Sequence, residues 1–67
     1  MIMELWIARN KDGSSFLYNY FPVRDNDYGL FMVYGDDIYG DGIKIDSKLF
    51  PEVTWENSPK RVELKLI

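Results

Sequence analysis

Asn10-Lys11-Asp12-Gly13 separates the apolar stretch Ile2-Met3-Glu4-Leu5-Trp6-Ile7-Ala8 from the aromatic stretch Phe16-Leu17-Tyr18-Asn19-Tyr20-Phe21, and its reading decides the fold. Asn favours the first position of a type I turn, Asp the third and Gly a left-handed fourth. A type I turn over these four residues, with Gly13 as a bulge, sets Ile7 opposite Leu17 and Trp6 opposite Tyr18. A two-residue loop at Asp12-Gly13 would instead set Ile7 opposite Tyr18 and Leu5 opposite Tyr20. The turn chemistry favours the first register.

That register sorts the side chains by face, because successive residues of a strand point to opposite sides. One face collects Met3, Leu5, Ile7, Leu17 and Phe21, an expected aliphatic core. The other collects Trp6, Phe16, Tyr18 and Tyr20 around Glu4 and Ala8. Two readings of the aromatic face stand. Either a C-terminal hairpin covers it with Trp55 and the Val62/Leu64/Leu66 stripe, or it is an exposed Trp/Tyr platform for a partner, the role such residues favour at interfaces.

Outward from this hairpin, turn signals recur at short intervals, as in all-β domains. A break is expected over residues 22–28, where Pro22 cannot donate to a ladder and Asp25-Asn26-Asp27 favours turns. Residues 29–34, Gly-Leu-Phe-Met-Val-Tyr, are apolar enough for a buried central strand. Residues 35–42 form a loop with three glycines and three aspartates, followed by a short strand over 43–46. Residues 46–51 read as one helical or 3₁₀ turn, capped by Asp46 or Ser47 and stopped by Pro51. Residues 52–56 and 61–66 read as a last hairpin around Asn57-Ser58-Pro59-Lys60. No helix of ten or more residues is supported.

Sixty-seven residues make one domain, spanning 1–67, and domains of this size bury only roughly 60% of their unfolded surface. There is no cysteine to staple it and no histidine. Eleven aromatics supply the burial instead, each removing roughly 150–250 Å² from water. Net charge is −3, which argues against general phosphate-backbone binding. No stretch approaches the ~20 apolar residues of a membrane helix, and Met1-Ile2-Met3-Glu4 lacks the basic region of a signal peptide. A cytoplasmic protein without membrane contact is expected.

The segment Asp36-Asp37-Ile38-Tyr39-Gly40-Asp41-Gly42 is the densest acidic run, but its spacing departs from the alternating order of a calcium loop. It reads as a solvated turn, with no metal and no cofactor expected. Without His or Cys the usual catalytic triads are impossible, and Ser14, Ser15, Ser47 and Ser58 fall in turns, so no enzyme is expected. Arg9, Lys11 and Arg24 beside the aromatics form the alternative of a single-strand nucleic-acid platform. Lys60, Arg61 and Lys65 form a second, weaker basic cluster.

Residues 5–14 (Leu-Trp-Ile-Ala-Arg-Asn-Lys-Asp-Gly-Ser), residues 49–59 (Leu-Phe-Pro-Glu-Val-Thr-Trp-Glu-Asn-Ser-Pro) and the ending Val62-Glu63-Leu64-Lys65-Leu66 resemble a group of small hypothetical proteins of gut anaerobic bacteria and their phages or mobile elements. The resemblance implies a short accessory gene and carries no functional residues.

The expected fold is all-β: a small antiparallel barrel or SH3-like sandwich of five to six strands with one short helical turn. The expected function is protein binding, as an accessory modulator of a partner, with Trp6, Tyr18 and Tyr20 as anchors and Asp36, Asp37 and Asp41 as a charged rim. A nucleic-acid-associated barrel and a homodimer joined through an edge strand are the alternatives.

Overall fold

The structure, a computed structural model, describes residues 2–34, 39–40 and 42–65. Every regular element among them is an antiparallel β-strand, in two sheets. The strands are β1 (Ile2–Arg9), β2 (Ser15–Tyr18), β3 (Val23–Asp25), β4 (Leu30–Tyr34), β5 (Tyr39–Gly40), β6 (Ile43–Ile45) and β7 (Lys60–Lys65). The first sheet has the order β6-β2-β1-β7 and the second β3-β4-β5. The all-β class is as expected, but among the described residues neither sheet closes on itself, so they form a pair of open sheets rather than a barrel.

The first hairpin takes the bulged register. Trp6 pairs with Tyr18, Ile7 with Leu17 and Ala8 with Phe16. The Gly13 N–H donates to the Asn10 carbonyl at 2.9 Å, the Asn10 N–H donates to the Ser14 carbonyl at 2.8 Å, and Gly13 has φ of 97°. A side chain at that φ would be strained, which is why the turn ends on glycine.

Four departures from expectation have local causes. Residues 22–28 are not simply a break: Pro22 is buried, β3 follows at once, and the turn lies over 26–29. The Asp25 carboxylate holds that turn by accepting from the Asp27 and Tyr28 N–H groups. The acidic loop contains the two-residue β5, paired with β4, while residues 35–38 and 41 lie outside the described residues. Residues 46–51 make the single turn expected, capped by Asp46, but it does not become a helix. Asp46 closes one turn, its carbonyl accepting from Leu49 and its carboxylate from Lys48, and Phe50 then turns left-handed (φ 53°).

The expected C-terminal hairpin is the fourth departure. Residues 52–56 form turns, because Thr54 and Asn57 satisfy each other's backbone N–H groups and Asn57 Nδ2 donates to the Glu52 carbonyl. Side chains that bond the backbone locally compete with a ladder in this way. β7 pairs with β1 instead, Leu5 opposite Val62 and Met3 opposite Leu64. Val62 and Leu64 therefore share the Leu5 face and do not cover the aromatic one; Leu66 lies outside the described residues.

The core sits on the aromatic face. Ala8 and Tyr18 from the first sheet pack with Phe31 and Val33 from β4, with Phe16 and Trp55 against them. Tyr18 is 2% exposed, and its hydroxyl donates to the Phe31 carbonyl at 3.1 Å. The Phe31 N–H donates to Asn10 Oδ1 at 2.9 Å, and the Lys11 N–H to the Gly29 carbonyl, so the first hairpin turn docks β4. Gly42 lies where an added Cβ would come within 2.7 Å of the Leu17 carbonyl oxygen and the Tyr18 ring, with φ of 73°, so only glycine fits.

Two arginines tie the irregular segment 46–59 to the sheets. Arg9 Nε donates to the Val53 carbonyl at 2.6 Å, and its Nη1 to the carbonyls of Gly13 and Ser47. The Arg9 N–H donates to Ser58 Oγ, which donates in turn to the Thr54 carbonyl. Arg24 lies over the Trp55 ring, 4.4 Å from its centroid, and donates to the Trp55, Glu56 and Ser58 carbonyls. Planar guanidinium groups suit this double task of stacking and forked donation.

Candidate docking face

Three of the six expected site residues lie among the described residues and can be placed on the surface or in the core. Trp6 is partly buried and meets Phe21 edge to face, ring centroids 5.9 Å apart. Tyr20, next along the β2–β3 connection, is 49% exposed. Tyr18 belongs to the core instead: its ring lies among Ala8, Phe31 and Val33, so it is no surface anchor. Asp36, Asp37 and Asp41, the expected charged rim, lie outside the described residues.

Phe21 is the residue that sequence reasoning misplaced. Assigned to the aliphatic core by carrying strand alternation to residue 21, it is 61% exposed. β2 ends at Tyr18, so the alternation has no force beyond it. The signal was Pro22, which cannot donate to a ladder and so marks the chain leaving the sheet. Pro22 itself is buried and anchors the connection that presents Tyr20 and Phe21.

The charged rim that the structure does describe comes from β1 and β7. Trp6 lies directly opposite Arg61, and Glu4 opposite Glu63. Like charges in that relation repel. Arg61 bridges them, with Nη2 2.7 Å from Glu4 Oε1 and 3.1 Å from Glu63 Oε1. The hydrogen bond and charge of Glu4, with the charge of Glu63, raise the Arg61 pKa further above its ordinary value, so it stays a fixed cation. All three side chains are about half exposed, so the network contributes little stability and acts mainly as a pattern of charge beside the aromatic pair.

The other basic residues are placed differently. The guanidinium groups of Arg9 and Arg24 donate to main-chain carbonyls, and of the three bases read as a nucleic-acid platform, Lys11 alone is exposed, Arg9 and Arg24 being partly buried. A concavity of about 430 Å³ lies between the turns at 10–13 and 26–29, lined by Lys11, Asp12, Asn26, Asp27 and Tyr28. Apart from Leu30 of β4 its walls are mostly polar turn residues, unlike the largely apolar walls of small-molecule sites. Among the described residues no group of three or more carboxylates is placed to hold a metal ion, and no helix is long and apolar enough to cross a membrane.

No protein-family model, curated protein or solved structure matches this chain, so the reading of its surface rests on the residues themselves.

Proposed function

We propose that this protein is a small binding module that docks a protein partner on the face formed by Trp6, Tyr20 and Phe21. The observation that carries the reading is the Trp6–Phe21 edge-to-face pair, whose Phe21 ring and neighbour Tyr20 are exposed. Aromatic side chains contribute large rigid area to an interface at low entropic cost. The partner this chemistry suits offers an apolar side chain to the ring pair and basic groups to Glu4 and Glu63. The resemblance to small proteins of gut anaerobes and their phages fits an accessory role in which binding modulates the partner. No catalytic step is part of the proposal.

Parallel affinity captures from a lysate of the encoding organism test it, using tagged wild type, Trp6→Ser, Phe21→Ser and Lys11→Ala, each with and without nuclease. The expected result is one protein retained by wild type and Lys11→Ala, lost with both aromatic variants, and indifferent to nuclease. Retention unchanged by the aromatic variants, or abolished by nuclease, would overturn the reading.

A further inference from the structure

We propose that β7 is a self-association edge, through which two copies pair antiparallel with Val62 opposite Val62 of the second copy. The inference goes beyond the docking face and leaves the Trp6–Phe21 pair of each copy free.

β7 is the outermost strand of the four-stranded sheet, with β1 on one side and no described strand on the other. At six residues it is longer than β6, the opposite edge, which has three. An edge of that length presents a row of unpaired backbone donors and acceptors. Along it, Lys60, Arg61, Glu63, Leu64 and Lys65 are exposed, and Leu64 is 59% so.

Register follows from backbone geometry and charge. Residues facing each other across an antiparallel pair must turn their N–H and C=O groups to the same side, and that side alternates along a strand. A symmetric pairing is therefore centred on a residue. Centred on Arg61, it opposes Arg61 to Arg61; centred on Glu63, it opposes Glu63 to Glu63 and Arg61 to Lys65. Both place like charges face to face. Centred on Val62, it opposes Arg61 to Glu63 twice, Val62 to Val62 and Lys60 to Leu64, with no like charges opposed. A pairing centred on Leu64 also matches charge, Glu63 with Lys65, but engages only three of the described strand residues from each copy.

Two features of the single chain agree with the Val62 register. Leu5 lies opposite Val62 within the chain, so the row Leu5–Val62 would continue across the joint as Val62–Leu5 of the second copy. Glu63, set against Glu4 on its inner side, would gain an Arg61 directly opposite on its outer side. The joined object is one eight-stranded sheet with an apolar row through its twofold axis and a pair of ionic bridges on the other face.

Sedimentation velocity across a concentration series, with circular dichroism melts to confirm folding, tests the proposal. Wild type should approach twice 7.9 kDa as concentration rises. Arg61→Glu and Glu63→Arg, each alone, should stay at 7.9 kDa, because each opposes like charges in this register. An equimolar mixture of the two variants should regain the doubled mass, and so should the double variant carrying both changes. Wild type that remains monomeric up to about 1 mM overturns the proposal without any variant having to fold. A mixture that stays monomeric, or an Arg61→Glu variant that still dimerises, overturns the register.

Discussion

Trp55 lies beneath the Arg24 guanidinium and against the edge of Phe31, 5.3 Å between ring centroids, while Trp6 meets the exposed Phe21 ring. Both are partly buried, so exposure alone does not separate them. What separates them is the company they keep. At the Arg9 end of the first sheet both faces are covered: β4 and Trp55 lie over Ala8 and Tyr18, and Arg9 draws the segment 47–53 across the face that holds Ile7 and Ser15. At the Glu4 end the aromatic face keeps Trp6 and its charged neighbours. A chain this short has little apolar material to build core along the whole length of its sheet.

Variants at the covered end should be costly in proportion to what they hold. Arg9→Lys keeps the charge but loses the fork, and urea unfolding should show a loss of about 2–3 kcal/mol. In a domain this small each kilocalorie corresponds to roughly 4–8 °C of melting temperature. A loss under a few tenths would mean that the carbonyl clamp contributes nothing and that the contrast between the two ends is misdrawn.

Tyr18→Phe removes only the hydroxyl that donates to the Phe31 carbonyl. About 1 kcal/mol should be lost, with the fold intact by circular dichroism. A fully tolerated change would return Tyr18 to the list of surface candidates. Ser15 sharpens the comparison from the opposite side, since its hydroxyl is buried with no hydrogen-bond partner among the described residues. Ser15→Ala should raise stability by up to about 1 kcal/mol, and a marked loss would show that the hydroxyl is satisfied in solution.

The smallest effect is at the first turn. The Asp12 carboxylate accepts from the Ser14 hydroxyl and N–H, at 2.6 and 2.9 Å, which holds its pKa below the ordinary aspartate value, with Lys44 adding attraction. A depressed native pKa gives a contribution that is complete above the unfolded value of about 4 and is lost as pH falls through the native one. An NMR titration of Asp12 should have its midpoint below that of a free aspartate and move back toward it in Ser14→Ala. A midpoint indifferent to Ser14 would sink the assignment.

Much of this architecture is written locally in the chain. The turn at residues 10–13 carries its register in the order Asn, Lys, Asp, Gly, and β4 announces itself as an apolar run. The two arginine clamps are not legible, because an arginine that bonds carbonyls 31 or more residues away looks in sequence like any surface charge. Val53-Thr54-Trp55 has strand-forming residues, yet the Thr54–Asn57 exchange of hydrogen bonds turns the chain there. Of the site, Trp6 and Tyr20 were legible from the hairpin register. Tyr18 was not, because nothing local says that β4 lies on its face. Phe21 was lost by extending alternation past the end of a strand.

The most direct test of the two-ended account is a paired urea titration of Trp6→Ala and Trp55→Ala, each followed by the fluorescence of the tryptophan it retains. The account predicts that Trp55→Ala loses about 3 kcal/mol or fails to fold, as for a large aromatic removed from a core. Trp6→Ala should lose no more than about 1 kcal/mol and keep its cooperative transition. Equal losses, or a larger loss at Trp6, would contradict it, placing Trp6 in the core and removing the anchor on which the docking face depends.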